Sequence, residues 1–366
     1  PLVAGFLISE RKYPMALDKE IFPPSEATEV AQAGFDYVNG ILPFSTMFPI
    51  QSNDGEWTVS WTPNLPTLST NAMQRRALDA EIGHTSMVEQ SAEQHTGLLP
   101  LSGMDHITER DMAKHANDKQ FIHDKAEAKT THLGQAAGVT LELESISAMM
   151  DGKITINENG ANVVYSFGRP AKQHNQTPTT LWSQATSDPI ADVQGWIEVM
   201  RKNKGRTPHA AFTTSKVIDA LRVNEQFRQE ASGMDLAHSK PRLSRDEVLG
   251  VLASQLQLND VRMLDLEYEN LELDGGFKMD VDTTTLIPDA TFVMLPSFND
   301  PTLGFTASGP TAEAQNSEYE ISKSVNDGLV AAMLSHQAPA NYDIWVNGSA
   351  LPVLQDAVST FKANVL

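Results

Sequence analysis

ESISAMMDGKITINENGANVVYSFG, residues 144–168, changes its periodicity at Asp151-Gly152. Before this pair, apolar residues recur at spacings of three and four, which is typical of an amphipathic helix. After it, they alternate with polar residues on both sides of an Asn-Glu-Asn-Gly turn, which predicts a two-stranded β-ribbon over about 153–168. Glycine readily adopts the left-handed conformation that ends many helices, so Asp151 and Gly152 are predicted to form a structural corner. The helical stripe consists of Leu133, Ala136, Val139, Leu143, Ile146 and Met150.

The long helix, predicted over about 106–150, contains two glycines one turn apart, Gly134 and Gly138. Each weakens an isolated helix by about 1 kcal/mol relative to alanine. Because glycine has no Cβ, each also lets another backbone approach the helix closely.

The composition excludes several classes of protein. Of the 366 residues 40% are apolar, and no segment is apolar over a length that would span a membrane. The absence of cysteine excludes disulfides, thiolate metal ligands and a cysteine nucleophile. A net charge of −20 argues against a surface that grips nucleic-acid phosphates, because that affinity comes mainly from lysine and arginine. We expect a soluble protein made in the cytoplasm, and Pro1 is compatible with loss of an initiator methionine.

The first 105 residues are expected to contain little regular structure. Residues 1–45 are interrupted by prolines and show no sustained period, so we predict an extended arm with one short helical turn at best. GEWTVSWTP, residues 55–63, has the alternating pattern of a strand. Residues 64–105 are polar and lack a helical stripe, and so long a loop is predicted to protrude.

From about residue 186, predicted helices and strands alternate, which indicates a mixed sheet with flanking helices that ends near residue 298. Asp188-Pro189 is typical of a helix start, with Gly205 as the predicted end. Ser244 and Glu247 have the spacing of a capping box. DIWVNGSALPVLQDAVSTF, residues 343–361, predicts a strand, an Asn-Gly turn and a last amphipathic piece. The predicted strands of the sheet are HAAFTT (209–214), VRMLDLEYENL (261–271) and ATFVMLP (290–296).

The motifs of common enzyme classes are missing, including glycine-rich nucleotide loops, the zinc-protease helix and the serine-hydrolase turn. Glu142 and Glu144 are two residues apart on the predicted helix, so they point to different faces and form no acid–base pair. Six histidines between residues 84 and 132 are 8 to 11 residues apart, so no pair has the i, i+3 or i+4 spacing of metal ligands on adjacent turns of a helix. We predict solvated histidines, with metal binding or pH sensing as the alternative, and no catalytic residue, cofactor or metal site.

The order of these features resembles the major capsid proteins of tailed bacteriophages, whose fold is named after the HK97 coat protein. Within that group it is most similar to the lambda-type major head proteins. No single motif is sharp, and the order and spacing over about residues 140–296 carry the resemblance. The stretches on which it rests are LESISAMMDGKITI (143–156), DPIADVQGWIEVMRKNKGRTPHAAFTTSKVIDALRVNEQFR (188–228) and LSRDEVLGVLASQL (243–256), followed by the strands at 261–271 and 290–296.

The resemblance implies an α+β fold, the HK97-like capsid fold, with five parts. These are an N-terminal arm (1–55), an extended loop with its flanking strand (56–105), a peripheral domain (106–185) with a long spine helix (about 106–150) and β-ribbon (about 153–168), an α/β axial domain (186–298), and a return through the peripheral domain to a final axial segment (299–366).

The resemblance also implies a structural protein, not an enzyme, that self-assembles into the icosahedral head shell around packaged double-stranded DNA. Its partners would be copies of itself in pentamers and hexamers, a separate scaffolding protein, the portal and, as one means of reinforcement, a decoration protein. The DNA would lie nearby without sequence-specific binding, and no membrane would be involved. Assembly would occur in the host cytoplasm, and the product would be the virion capsid.

Charged residues of the loop lead to two further expectations. No lysine lies between Lys19 and Lys114, so the loop cannot form the isopeptide cross-links found in some shells of this fold. Arg75, Arg76 and Arg110 are the only cations in or beside the loop. They are candidates for reaching acidic groups on a neighbouring subunit, with simple solvation as the alternative.

Three other classes of protein remain open from the sequence. An encapsulin-like compartment shell would share the fold and hold protein cargo without DNA. An α/β enzyme with its catalytic domain after residue 180 would need an activated nucleophile or a carboxylate pair. A tail-tube subunit would be smaller and mostly β.

Overall fold

The computed structural model describes residues 16–62, 68–70, 87–89, 93–264, 272–273, 277–278, 287–321, 328–337 and 339–366. None of the helices within these ranges is both long and apolar enough to cross a membrane. These helices are α1 (Pro24–Ile41), α2 (Glu109–Lys114), α3 (Lys119–Asp151), α4 (Pro189–Lys202), α5 (Ser215–Val223), α6 (Glu225–Ser232) and α7 (Arg245–Leu256).

Two main sheets and four ribbons contain the strands. The larger sheet has the order β1 (Ala16–Leu17), β16 (Leu329–Gln337), β17 (Ala340–Val353), β15 (Phe305–Ser308) and β2 (Ile50–Ser52), and β7 (Pro100–Ile107) also pairs with β17. The smaller sheet has the order β11 (Asp260–Met263), β10 (Ala210–Thr213), β14 (Thr291–Leu295) and β18 (Phe361–Asn364). The ribbons are β3 (Thr58–Trp61) with β6 (Gln94–Gly97), β4 (Leu68–Thr70) with β5 (Met87–Glu89), β8 (Lys153–Glu158) with β9 (Ala161–Ser166), and β12 (Glu272–Leu273) with β13 (Phe277–Lys278).

The N-terminal region contains α1, an 18-residue helix, so the prediction of one short helical turn at best was wrong. Its buried face consists largely of Ala, Gly and Thr, which gives a weak apolar stripe in the sequence. The helix is stabilised by packing on α3 and on the outer edge of β16. At that edge the Thr28 hydroxyl accepts from the Ala331 amide at 3.1 Å, and the Gln32 side chain donates to the Leu329 carbonyl at 3.2 Å. The helix therefore covers backbone groups that an edge strand would otherwise leave exposed.

The predicted long helix ends where expected, at Asp151 with Gly152 as the left-handed cap. Its predicted start was wrong, because residues 100–107 form β7 and α2 is separate from α3. Ala116 and Asn117 have φ values of 51° and 57°, which interrupts the helical backbone between α2 and α3. The side chain of Asp118 then accepts from the Gln120 amide and begins α3, a continuous helix of 33 residues.

The alternating second half forms the predicted mixed sheet, with β10 parallel to β11 and antiparallel to β14. The helix starts at Asp188-Pro189 and Ser244 are confirmed, and Ser244 and Glu247 form a complete capping box. The predicted end of α4 at Gly205 was wrong by two residues, since Asn203 caps the helix. A hydrophobic core lies between the smaller sheet and helices α4 to α7.

The predicted turn at Asn347-Gly348 was also wrong, because β17 runs straight through it. β17 lies between β16 and β7, and Gly348 is aligned with Leu329 on one side and Leu101 on the other. A Cβ at position 348 would lie 2.5 Å from the Gly328 carbonyl oxygen, so the glycine here permits close approach of two backbones. The chain then crosses to the smaller sheet as β18.

Candidate functional site

The corner at Asp151 and Gly152 lies where α3, the β8–β9 ribbon and the smaller sheet meet. Gly152 has a φ of 64°, and its amide donates to the Ala148 carbonyl at 2.9 Å. The Phe167 amide donates to the Gly152 carbonyl at 3.0 Å, which connects the end of β9 to the end of α3. A Cβ at position 152 would lie 2.8 Å from the Cβ of Arg169, so both conformation and space favour glycine.

The guanidinium of Arg169 caps the carboxyl end of α3. It donates to the carbonyls of Met149 at 2.7 Å and Met150 at 3.1 Å, and to the hydroxyl of Thr360 at 2.9 Å. The residue as a whole is partly exposed, and its guanidinium makes these hydrogen bonds inside the corner. Burial of that charge lowers the pKa of Arg169 to about 10, with Asp151 acting in the opposite direction. One side chain thus satisfies helix-end carbonyls and holds the segment before β18.

Lys362, on β18, brings a second cation to the corner. Its amino group lies 3.4 Å from a carboxylate oxygen of Asp151, and its side chain is 8% exposed. Burial lowers the pKa of Lys362, and nearby Arg169 adds to this effect while Asp151 opposes it. The corner therefore connects three elements through charged side chains. Asp151 ends α3, Arg169 follows the ribbon, and Lys362 lies on the smaller sheet.

A second charged cluster joins the segments that leave the two sheets. Arg206, after α4, forms an ion pair with Asp300, after β14. It also pairs with Asp356, after β17, through two nitrogens at 2.6 and 2.7 Å from one carboxylate oxygen. The Asp356 side chain is fully buried, and burial raises its pKa. Because removing one partner would leave a buried charge uncompensated, at a cost of about 3–5 kcal/mol, Arg206 holds these segments in one arrangement.

Glu142 connects α3 to the segment that follows α1. Its carboxylate is fully buried and accepts from the amides of Phe44 at 3.2 Å and Ser45 at 2.6 Å. It also accepts from the Ser45 hydroxyl at 2.7 Å. These donors lie at the amino end of the short 3-10 helix Ser45–Met47, where unpaired amides favour an anion.

Glu144, two residues later, has a different environment, as its different helical face predicted. One of its carboxylate oxygens is buried without a hydrogen-bond partner among the described residues. It lines a cavity of about 470 Å³ that Glu158, Tyr165 and Leu99 also line. Burial, with a smaller contribution from the charge of Glu158, raises the pKa of Glu144 to about 7.

The three arginines proposed as contacts to a neighbour are not brought together in the described residues. Arg75 and Arg76 lie outside the described ranges, and Arg110 is exposed on α2 without an ion pair to the described part of the chain. Their role stays a prediction. The roles of Arg169, Arg206 and Glu142 were not predicted from the sequence, because their partners are 19 to 191 residues away. In a sequence, the one sign of a buried charged residue with distant partners is a single charged residue beside an apolar run.

The clusters around Arg169, Arg206 and Glu142 share one physical property. Each satisfies charged groups with partners from distant segments. Arg169 fixes α3 to the segment before β18, Glu142 fixes α3 to the segment after α1, and Arg206 joins the segments that follow β14 and β17. Together these contacts hold the long helix, the ribbon and the segments that leave the two sheets in one geometry.

Several solved structures are similar to the chain over almost its whole length, among them the following two. A protein described as a prophage capsid protein from Escherichia coli CFT073 superposes with a TM-score of 0.55 at 12% identity, covering 96% of this chain and 100% of that chain. A phage-related protein from Bordetella bronchiseptica RB50 has a TM-score of 0.50 at 11% identity, covering 96% and 97%. No family model and no curated protein matches the sequence.

At these identities the similarity concerns the fold. The chain has an α+β fold, the HK97-like capsid fold, and the resemblance predicted from its sequence is confirmed at that level.

Proposed function

We propose that the chain is a major capsid protein that self-assembles into the icosahedral head shell of a tailed phage and encloses its packaged double-stranded DNA. The observation that carries the proposal is the structural similarity to the E. coli prophage protein. The match covers 100% of the prophage protein and 96% of the present chain.

The surface supports contacts between copies. Met104, Met234 and Val164 are 63%, 58% and 55% exposed, although each is a large apolar side chain. Met104 on β7 is aligned with Trp345 on β17, and the ring of Tyr319 packs against that tryptophan at 6.0 Å. Exposed apolar surface of the kind that Met104 and Trp345 form is typical of surfaces that bind other proteins. In a shell, many such contacts of modest energy act together.

The charge and composition support the proposed contents and partners. A subunit with a net charge of −20 would not retain packaged DNA on its inner wall, so the DNA would lie nearby without sequence-specific binding. The proposed partners are other copies in pentamers and hexamers, a separate scaffolding protein, the portal and, as reinforcement, a decoration protein. The proposed location is the virion, after assembly in the host cytoplasm. The role is structural, not enzymatic.

Sedimentation velocity and negative-stain electron microscopy test the proposal on the full chain, expressed alone and together with its candidate scaffolding protein. We expect closed particles far larger than one subunit, and nuclease-protected DNA in particles purified from the source. Protein cargo without DNA would favour an encapsulin-like compartment. A stable monomer under every condition would contradict a shell and reopen an α/β enzyme.

The variant Met104→Glu makes the test specific to a surface. A charge at this exposed position should leave the fold of the subunit unchanged and lower the yield of closed particles. The matched control is Glu29→Gln on the exposed face of α1, which should assemble as the natural chain does. Equal particle yields for Met104→Glu and the natural chain would exclude the β7 face from subunit contacts.

A further inference from the structure

His123, Asp124 and Glu127 form a cluster on the first turns of α3, beside the start of α1. Atoms that could bind a metal, one from each of the three residues, all lie within 4.8 Å of one another. His123 and Glu127 are one helical turn apart, so their side chains lie on the same face. The spacing of the histidines leaves no two of them at i, i+3 or i+4 on one helix. It does not address carboxylates that lie on the same helical face as a single histidine.

The imidazole ring of His123 is held on two sides. Its Nε2 lies 3.1 Å from a carboxylate oxygen of Glu26 on α1, and the ring of Phe22 packs against it edge-to-face at 5.3 Å. The side chain is 25% exposed. Phe22 is fully buried and so has a fixed position. The imidazole ring of His123, which packs against it, therefore has little freedom to turn.

The other ring nitrogen, Nδ1, is buried and has no hydrogen-bond partner among the described residues. It lies 3.6 Å from Oδ1 of Asp124, which is too long for a hydrogen bond. The ionised carboxylate of Glu26 can only accept a hydrogen bond, so Nε2 carries the hydrogen, and in the neutral ring the lone pair is then on Nδ1. This lone pair faces the side of the ring where Asp124 lies.

The distance between Nδ1 and the Asp124 oxygen fits two ligands of one metal ion. Zinc binds imidazole nitrogen and carboxylate oxygen at about 2.0–2.2 Å in tetrahedral geometry, which places two ligand atoms roughly 3.4 Å apart. Gln120 donates to the same Asp124 oxygen at 2.7 Å and holds the carboxylate beside the ring. Metal-bound histidines commonly donate their other N–H to a carboxylate, as His123 does to Glu26.

We propose that Nδ1 of His123 and the carboxylates of Asp124 and Glu127 bind a divalent cation of the zinc type. Water completes its coordination, and Glu26 of α1 orients the imidazole ring as a positioning residue. The cation would fix the His123 ring in the orientation in which its Nε2 meets Glu26, and so strengthen this contact between α3 and α1. This inference does not depend on the proposed shell function.

Isothermal titration calorimetry of the full-length, unassembled chain with zinc chloride in a non-chelating buffer tests the site. We expect one saturable zinc site per chain that is lost in His123→Gln and in Asp124→Asn. The second variant changes a 63% exposed side chain, so it keeps the test decisive if His123→Gln fails to fold. Glu26→Ala should weaken zinc binding by about 10- to 100-fold, as loss of a group that orients a metal ligand does.

Controls separate this site from other histidines and acids of the chain. His132→Ala, an exposed position on the same helix, and Glu29→Ala, the exposed neighbour on α1, should bind zinc as the natural chain does. Nitrogen NMR of the imidazole should show zinc on Nδ1 of His123. Absence of saturable binding, unchanged binding in Asp124→Asn, or zinc on Nε2 would overturn the proposal.

Discussion

Gly134 of α3 lies directly against the backbone of Ala31 in α1. A Cβ at position 134 would overlap the Ala31 carbonyl oxygen and come within 3.0 Å of its carbon. The approach is mutual, since a Cβ at Gly34 of α1 would lie 2.6 Å from the Thr131 carbonyl oxygen of α3. Two helices therefore cross at backbone distance, and glycine is required on both sides of the crossing.

Gly134→Ala is expected to lower the free energy of unfolding by about 1–3 kcal/mol, because the added methyl group meets backbone that cannot move independently. The matched control is Gly195→Ala in α4, where a Cβ would meet no atom within 4 Å. That change should be neutral or stabilise by up to about 1 kcal/mol, since alanine favours helix. Urea unfolding of both variants measures the difference, and equal stabilities would contradict the close crossing.

Glu144 is expected to make stability depend on pH. Its pKa is raised in the folded protein from 4.5 to about 7, so the folded state retains a proton that the unfolded state loses. The contribution of this group to stability is therefore greatest below about pH 4.5 and declines as the pH rises to about 7. Glu144→Gln removes this dependence. The free energy of unfolding of the variant minus that of the natural chain should therefore increase from pH 5.5 to pH 8.5, by on the order of 1–2 kcal/mol.

The measurement is urea unfolding of both proteins at the two pH values, with Glu29→Gln as an exposed control that should show no pH-dependent difference. A difference between Glu144→Gln and the natural chain that stays constant with pH would show that Glu144 is ionised in the folded state throughout.

Arg169→Met is expected to lower the free energy of unfolding by about 2–4 kcal/mol, because two helix-end carbonyls and the Thr360 hydroxyl lose their donor. Arg201→Met is the matched control, since the Arg201 side chain is 74% exposed and its pair with Glu198 contributes at most about 1 kcal/mol. Hydrogen exchange at the Phe167 amide, which bonds to Gly152, should become faster in Arg169→Met alone. Unchanged exchange there would indicate that the corner is held by other contacts.

Shell subunits are expected to separate completely on a denaturing gel. No lysine lies between Lys19 and Lys114, so residues 56–105 have no amine to form an isopeptide bond. Boiled particles should therefore migrate as a single subunit band. A ladder of covalent oligomers in mature particles would show cross-linking through lysines elsewhere in the chain.

The sequence alone predicted those features that depend on neighbouring residues. The change of period at Asp151-Gly152, the left-handed cap and the ribbon all follow from preferences acting within a few residues, as does the capping box at Ser244 and Glu247. Because such local elements occur in a characteristic order, their succession also indicated the HK97-like fold.

Other features were decided by tertiary contacts. The buried face of α1 consists largely of small residues, and packing on α3 and β16 stabilises the helix. Asn347-Gly348 has the local pattern of a turn, but strands on both sides of β17 satisfy its backbone and keep it extended. The preference of a residue for one local conformation is worth about 1 kcal/mol. The hydrogen bonds and packing of a strand that is paired on both edges outweigh this preference.

The roles of individual charged residues also required the tertiary structure. Glu142 and Glu144 differ by two positions in one helix, yet Glu142 accepts three hydrogen bonds from residues 44 and 45, while an oxygen of Glu144 has no partner among the described residues. The sequence determined which faces of α3 they occupy. Only the fold determined what lies against each face, because the partners of Glu142 are 97 and 98 residues away along the chain.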